Sequence, residues 1–268
     1  MKHFFPELPI LHQRQGYQFY FSSNCPCIEA AISRVLSQNP PAADILKQDH
    51  KRLLFKAADT QSNSFIVKVN LLPRFKDKLR AKRFAPQEYY CHSRIATLGL
   101  PVPPLWGYFH KKSLGLQKQN GLIIGFLQGT RNLKPEEGVL AAPIVAALCD
   151  QGINHPDLMC NNIMLRESDQ SIFLIDLESC SFEKPGDIRL PLMNLARYIE
   201  YNQDDLHSQA NQEMIRCSYA MLKEPQLGLE DFRNLIAILH KYHLKTRQRI
   251  SLSMPEEAAQ KLRRLLHK

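Results

Sequence analysis

The feature that most constrains this sequence is a polar segment at residues 155–162 that is followed, after a short gap, by an apolar stretch ending in an acid. The segment begins with His155 and contains Asp157 and Asn162, and Asp176 comes fourteen residues after Asn162. The four residues before Asp176, Ile-Phe-Leu-Ile, are typical of a strand, so this acid is predicted at a strand end. Two carboxylates and an amide at this spacing can supply a base and two metal ligands, which is what phosphoryl transfer requires.

The bulk composition sets broader limits. The chain has 268 residues, 44% of them hydrophobic and 23% charged, which is typical of a globular protein with one large or two modest domains. No apolar run approaches the roughly 18 residues of a membrane-spanning helix, and Pro6 and Glu7 interrupt the region where a signal peptide would be apolar. Seven cysteines without zinc or disulfide spacing indicate reduced thiols. We therefore expect a cytoplasmic protein.

The order of the predicted elements gives the fold class. Strands are predicted early in the chain, at residues 17–21, 52–57, 64–69 and 122–127, the second and third forming a hairpin. Helices are predicted at residues 28–36, on both sides of Pro86 within 74–98, between Leu140 and Gly152, and over most of the C-terminus. This order predicts an α+β protein. We divide it into an N-terminal lobe, residues 1–127 with an extension of about 45 residues, and a C-terminal lobe, residues 128–268, within one domain.

Lys68 and Glu88 are candidates for the nucleotide side of the reaction. Lys68 lies in the middle of a predicted strand, where alternation places it on the face opposite Val67 and Val69. A lysine at such a position can bind phosphates, and Glu88, at a predicted helix start, could orient its ammonium group. The competing interpretations, a solvent-facing strand lysine and a surface acid in a first helical turn, are equally compatible with each residue taken alone.

The polar segment supplies the remaining roles. Asp157 would accept or orient the proton of the attacking hydroxyl, while Asn162 and Asp176 would bind Mg²⁺ through oxygen atoms. His155 is predicted to hold the backbone of the loop, a role close to that of an ordinary buried histidine. Each residue is a weak signal by itself, but the complete set in this order rarely arises by chance.

These residues, together with the Ile-Met-Leu run after Asn162 and the Leu-Glu pair after Asp176, resemble the lipopolysaccharide core kinases, which phosphorylate heptose or Kdo sugars. The resemblance covers about residues 50–200. It implies a bilobal protein-kinase-like fold, with a small, mainly antiparallel sheet in the first lobe and helices in the second, and it implies ATP and Mg²⁺ as cofactors. It also implies that the stretch between the lobes holds adenine, with Ile124 and Phe126 as contacts.

Two differences from the protein-kinase pattern indicate which class of kinase the sequence belongs to. No glycine occurs between Gly16 and Gly99, so the glycine-rich loop that lets backbone amides approach ATP phosphates is absent. Pro156 replaces the usual arginine of the catalytic loop, and Leu177 follows Asp176 where protein kinases have phenylalanine. Both departures favour a small-molecule kinase.

The charge of the chain indicates the kind of acceptor. The formal net charge is +9, and six cations opposed only by Asp77 lie between Lys68 and Glu88: Arg74, Lys76, Lys78, Arg80, Lys82 and Arg83. They suit an anionic acceptor, such as the lipopolysaccharide core on a lipid A precursor, and the anionic inner leaflet that carries it. The protein would then be peripheral on the cytoplasmic face of the inner membrane.

Other readings of the sequence stay open. A solvated helix face is the alternative for the basic segment. The C-terminal cations indicate only a general affinity for anions: Lys241, Lys245, Arg247, Arg249, Lys261, Arg263 and Arg264. A kinase of an aminoglycoside or a choline-like alcohol is the second enzyme hypothesis, and a pseudokinase that binds without turnover is the third hypothesis. No nucleic-acid-binding motif accompanies the charge, so nucleic acid is not expected as a partner.

Overall fold

The computed structural model describes residues 10–37, 39–81, 84–201, 205–242, 244, 248 and 251–267. It divides into two compact units, the first reaching residue 97 and including 102–128, and the second formed by 98–101 and 129–268. Several residues singled out above lie outside the described part: Pro6, Glu7, Lys82, Arg83, Lys245, Arg247 and Arg249. No helix within the described ranges is both long enough and apolar enough to cross a membrane.

The first unit is built on an antiparallel sheet whose seven strands lie in the order β1-β2-β6-β7-β5-β4-β3. The strands are β1 (Ile10–Arg14), β2 (Tyr17–Phe21), β3 (Ile45–Gln48), β4 (Arg52–Ala58), β5 (Ser64–Leu71), β6 (Leu105–Ser113) and β7 (Leu116–Gly125). The stretch predicted as an N-terminal extension supplies β1 and β2, and β2 pairs with β6. The described start of this stretch, residues 10–21, is therefore part of the sheet rather than an appendage to it.

Helices cover both faces of this sheet. They are α1 (Ile28–Ser37), the short α2 (Phe75–Leu79) and α3 (Ala85–Thr97). On one face Ala31, Ile32 and Val35 of α1 join a core of strand aromatics and valines that includes Val67 and Val69. On the other face α3 packs Ala85 and Tyr89 against strand residues that include Tyr108 and Leu122. A one-residue slip of β5 would move Val67 and Val69 out of the core on the α1 face and put Lys68 into it, so burial fixes the register of this strand.

The predicted elements of the first unit mostly agree with the structure. The strand at 17–21, the helix at 28–36 and the 52–69 hairpin are confirmed. Pro86 was predicted to separate two helices, and this was wrong: it is the second residue of α3, where a missing N–H costs nothing. Strand β7 begins at Leu116 and ends at Gly125, before the predicted end, and β6 was missed because the prolines preceding it read as extended chain only.

The second unit is mainly helical. Its helices are α4 (Ala142–Asp150), α5 (Arg189–Tyr201), α6 (Gln209–Ala220), α7 (Leu229–Lys241) and α8 (Glu256–Leu266). Its strands are β8 (Thr130–Asn132), β9 (Ile153–Asn154), β10 (Ile163–Arg166), β11 (Ile172–Leu174) and β12 (Ser181–Phe182), forming one three-stranded and one two-stranded sheet. The helix predicted up to Gly152, the strand before Asp176 and the helical C-terminus are confirmed. The prediction of an α+β protein is confirmed as well.

Burial of His92 makes the stability of the first unit depend on pH. The Nε2 atom of this α3 residue lies 2.6 Å from the carbonyl oxygen of Pro103. Desolvation lowers the pKa of His92 from 6.5 to about 4, and the positive charge of Lys68 acts in the same direction. The hydrogen bond to Pro103 opposes this shift. The pKa of this histidine is lower in the folded protein than in the unfolded chain. The free energy of unfolding is therefore highest above the unfolded pKa, and it falls as the pH drops from about 6.5 toward 4. We expect His92 to account for a loss of about 3 kcal/mol over this range.

Urea unfolding at a series of pH values tests this expectation. His92→Gln keeps an amide donor for Pro103 and removes the titration, so its free energy of unfolding is expected to fall less steeply below pH 6.5 than that of the wild type. Burial also lowers the pKa of His110 to about 4, so the slope should decrease rather than vanish. Parallel pH profiles for the two proteins would contradict the assignment.

Candidate active site

In the first unit, Lys68 and Glu88 form a buried ion pair. The Nζ atom of Lys68 lies 2.9 Å from each carboxylate oxygen of Glu88. Lys68 is 9% exposed and Glu88 is 2% exposed. The solvent-facing interpretations of both residues are therefore wrong. A buried charge pair of this geometry fixes the position of the ammonium group.

The sequence around Lys68 explains how the pair is held. Val67 and Val69 enter the core on the α1 face, so Lys68 projects from the opposite face, where α3 presents Glu88 in its first turn. Gly121 of β7 permits the close approach of the strands at this point. A Cβ there would lie 2.2 Å from the carbonyl oxygen of Lys68 and 2.4 Å from the ring of Phe109. A side chain at position 121 would thus displace the strand that carries the lysine.

The two residues predicted to contact adenine lie at the end of β7. Ile124 pairs with Ile66, and its side chain packs on the α3 face of the sheet, the face from which Lys68 projects. The Phe126 N–H donates to the carbonyl of Ser64 at 3.0 Å, and its ring lies under the Lys56 ammonium group at 4.0 Å. A contact between Phe126 and adenine would therefore use its carbonyl oxygen or its ring rather than its N–H.

The turn between β3 and β4 takes the place of a glycine-rich loop before β5, the strand that carries Lys68. Asp49 Oδ1 accepts the backbone N–H groups of Lys51 at 2.6 Å and Arg52 at 2.8 Å. These hydrogen bonds hold the pKa of Asp49 below its usual value. The carboxylate thus occupies the amides that a glycine-rich loop would turn toward phosphates. Nucleotide phosphates would have to be held by cationic side chains instead.

In the second unit, the polar segment is a tight loop between β9 and β10. The Leu158 N–H donates to the carbonyl of His155, and the Asn162 side chain donates its Nδ2 to the carbonyl of Asp157 at 2.7 Å. The second bond uses the NH₂ end of the amide, so Oδ1 is the end that can bind a cation. Asp157 is partly exposed and its carboxylate Oδ1 accepts a hydrogen bond from the Tyr201 hydroxyl at 3.1 Å.

Asp176 follows β11 in a conformation that is unusual for a residue with a side chain. Its φ is 57° and its ψ is 58°, in the left-handed region. The neighbouring Ile175 N–H donates to the carbonyl of Asn162 at 3.0 Å, which fastens the two predicted metal ligands to each other through the backbone. A left-handed aspartate held by its surroundings is more common at functional sites than elsewhere.

Glu178, which the sequence analysis named only as part of the Leu-Glu pair after Asp176, offers a further carboxylate beside Asp176. A carboxylate oxygen of Glu178 and one of Asp176 lie within 4.8 Å of each other, so one cation can contact both. With Asn162 Oδ1, the second unit presents oxygen ligands alone, and these fit Mg²⁺. The signal in the sequence was the i, i+2 spacing of two acids directly after a strand.

His155 is a structural residue of the loop. It is 1% exposed, and desolvation lowers its pKa below the usual value, opposed by Asp176, the Ile175 backbone and Asp157. The ring is therefore neutral at physiological pH, and it fills the core beneath the loop rather than meeting solvent. The backbone-holding role predicted for His155 from the sequence stays a prediction.

Two residues of α5 that sequence reasoning missed hold the loop in place. Tyr201 contacts Asp157, as described above. Arg197 is fully buried, and its guanidinium group donates to Asn154 Oδ1 at 2.5 Å, Asn194 Oδ1 at 3.3 Å and the His155 carbonyl at 3.4 Å. Neither residue lies in a local motif. Only the packing of α5 beneath the loop brings them to it.

Replacing Arg197 is expected to loosen this loop. Arg197→Met keeps the volume but leaves buried acceptors without their donor, so the free energy of unfolding should fall by at least about 2 kcal/mol. Arg166→Met is the matched control, because Arg166 makes a surface ion pair with Asp169 worth at most about 1 kcal/mol. Urea unfolding of the three proteins measures the difference. Equal losses for the two variants would show that Arg197 does not stabilise the loop.

Comparison with solved structures places most of the chain in a known fold. The sequence matches no protein-family model and no curated protein. The structure is similar to WaaP in complex with acyl carrier protein, with a TM-score of 0.55 and 14% identity over 87% of this chain and 98% of that chain. It is also similar to the amicoumacin kinase hAmiN in complex with AMP-PNP, Ca²⁺ and Ami, with a TM-score of 0.53 and 10% identity over 88% and 92% of the two chains. The fold of this protein is therefore protein-kinase-like, with an antiparallel sheet in its N-terminal part and helices in its C-terminal part.

Proposed function

We propose that this protein is an ATP- and Mg²⁺-dependent kinase that phosphorylates a heptose or Kdo hydroxyl of the lipopolysaccharide inner core. The observation that carries the proposal is the buried Lys68–Glu88 pair, because burying two charges is costly and protein stability alone does not require it. The oxygen ligands of the second unit support the same reaction class, and so does the similarity to an amicoumacin kinase with a bound nucleotide analogue.

Each residue has a defined part in the proposed reaction. Lys68, oriented by Glu88, binds the nucleotide phosphates. Asn162, Asp176 and Glu178 would hold Mg²⁺, which neutralises phosphate charge when bound. Asp157 takes the proton of the acceptor hydroxyl. At the same time the hydroxyl oxygen bonds to the γ-phosphorus, and the bond from that phosphorus to ADP breaks. Tyr201 holds one oxygen of Asp157, so the other oxygen is the one directed to the acceptor.

The acceptor class is supported by charge. A formal charge of +9 favours an anionic substrate and disfavours cationic aminoglycosides, for which an acidic cleft would be needed. Pro156 in place of the catalytic-loop arginine also argues against regulation by a phosphorylated activation loop. A lipid-linked acceptor of this kind would put the reaction at the cytoplasmic face of the inner membrane.

A panel of acceptors tests the proposal. Purified protein, labelled ATP and Mg²⁺ are incubated with deacylated inner-core oligosaccharides, an aminoglycoside and choline in parallel. We expect label in the oligosaccharide alone and none with Asp157→Ala. Label in the aminoglycoside or choline instead would establish the second enzyme hypothesis and overturn the acceptor assignment.

The pseudokinase hypothesis makes a different prediction about the metal. A kinase that uses Asn162 and Asp176 as ligands should be stabilised by ATP much more strongly with Mg²⁺ than without it, as measured by thermal shift. Stabilisation by ATP that is indifferent to Mg²⁺ would favour a binding module without turnover.

A further inference from the structure

Four chain segments lie together at one end of the sheet in the first unit. They are the turn at residues 15–16, the turn at 49–51, the stretch 71–80 after β5 and the turn at 114–115. Strand register brings these segments together, because the residues at the strand ends pair in one row across the sheet. The pairs are Arg14 with Tyr17, Tyr17 with Lys111, Lys111 with Gln119 and Gln119 with Leu71. One position along β5, Asn70 pairs with Arg52. We call these four segments and their flanking residues the basic sheet end.

The basic sheet end is strongly positive. Its cations are Arg14, Lys51, Arg52, Arg74, Lys76, Lys78, Arg80, Lys111, Lys112 and Lys118, and its acids are Asp49 and Asp77. Asp49 is engaged with backbone amides, and Arg14 is paired with Glu29 of α1. The turn between β4 and β5 at the opposite end of the sheet, residues 59–63, contains Asp59 and no cation. The charge is therefore concentrated at one end and does not cover the unit evenly.

Large apolar side chains project from the same end. Leu114 is 100% exposed at the tip of the β6–β7 turn, Phe75 and Leu79 of α2 are 64% and 63% exposed, and Leu71 is 37% exposed. Phe75 and Leu79 are four residues apart and thus share one side of α2, which packs against β7 by its other side. Exposed aromatic and leucine side chains surrounded by cations form the pattern that binds the interfacial region of a bilayer.

The backbone at Leu114 has a conformation that leucine rarely adopts. Its φ is 49°, in the left-handed region that favours glycine or asparagine, so leucine is an unfavourable choice for forming this turn. Its side chain is entirely exposed, so packing does not compensate. Neither turn preference nor packing therefore accounts for a leucine at position 114.

We infer that the basic sheet end docks on the surface of an anionic lipid bilayer. Leu114, Phe75 and Leu79 enter the boundary between headgroups and acyl chains, and the surrounding lysines and arginines contact anionic headgroups. A nucleic acid would use the cations but not an exposed leucine at a turn tip. The apolar residues also sit on a helix and on a separate turn rather than in a groove, which suits an extended surface better than a folded protein partner. The inference concerns the first unit only and does not depend on the proposed phosphoryl transfer.

Vesicle co-sedimentation of the full chain tests the inference. We expect binding to phosphatidylcholine vesicles that contain phosphatidylglycerol, and little binding to phosphatidylcholine alone. Leu114→Gly should weaken binding about tenfold while keeping the turn, because glycine suits a positive φ. Lys112→Glu combined with Lys118→Glu should weaken it at least as much. Met221→Ser is the control, since Met221 is 48% exposed in the second unit, and it should bind like the wild type.

The alternatives give distinct results. Binding that is independent of phosphatidylglycerol, or unchanged in Leu114→Gly, would overturn the inference. Single-stranded RNA that binds the wild type and Leu114→Gly equally, with no vesicle binding, would identify a nucleic-acid surface instead. Leu114→Gly should still phosphorylate a soluble acceptor at the wild-type rate. Vesicle binding without any phosphorylation would leave the docking surface standing and refute only the proposed function.

Discussion

Asp157→Asn is expected to lower kcat for phosphoryl transfer by about 10²- to 10⁴-fold, the range usual for removing a general base. Asparagine has the same shape and can still accept a hydrogen bond from the Tyr201 hydroxyl, so the loop should stay in place. It cannot take the proton of the acceptor hydroxyl. The affinity for ATP should be unchanged, because Asp157 has no assigned role toward the nucleotide. Steady-state kinetics and isothermal titration with ATP give the two quantities.

Tyr201→Phe is the matched control for this variant. It removes one hydrogen bond from Asp157 and leaves the carboxylate, so its kcat should fall far less than that of Asp157→Asn. A similar loss in both variants would mean that Asp157 acts only through the structure of the loop.

Lys68→Met is expected to remove activity and to destabilise the first unit by about 3–5 kcal/mol, because it leaves the Glu88 carboxylate buried without its counter-charge. Domains are stable by roughly 5–15 kcal/mol, so this is a large share of the total. Urea unfolding measures the loss, and titration with ATP measures the accompanying loss of affinity.

A double variant separates the two effects. Lys68→Met with Glu88→Leu replaces the pair by apolar groups of similar volume, which is often neutral for stability. We expect the double variant to recover most of the stability lost in Lys68→Met and none of the ATP affinity. Recovery of both would show that Lys68 has no part in nucleotide binding.

Local patterns predicted much of the first unit. The hairpin of β4 and β5 and the side of β5 from which Lys68 projects follow from alternation, which is a property of a few adjacent residues. Pairing of Lys68 with Glu88 could be suggested but not established, since burial depends on α3 lying over that face. Strand β6 was missed because the prolines before it read as extended chain only. Its apolar residues also end in two cations, Lys111 and Lys112, which belong to the basic sheet end rather than to the core.

The second unit shows the limit of local patterns more clearly. Asp157, Asn162 and Asp176 were found from spacing, and their chemical roles stay predictions. Arg197 and Tyr201 were not found, because α5 is buried on every side between Leu190 and Ile199, and periodicity does not predict that an arginine there is buried. Their importance comes from long-range packing of α5 against a loop some forty residues earlier.

Mass spectrometry of an inner-core oligosaccharide, incubated with the wild-type protein, ATP and Mg²⁺, measures the proposed transfer directly. We expect a product that carries one added phosphate on a sugar hydroxyl, formed by the wild type and not by Asp157→Asn. A folded protein that binds ATP with Mg²⁺ but forms no phosphorylated oligosaccharide would contradict the proposed function.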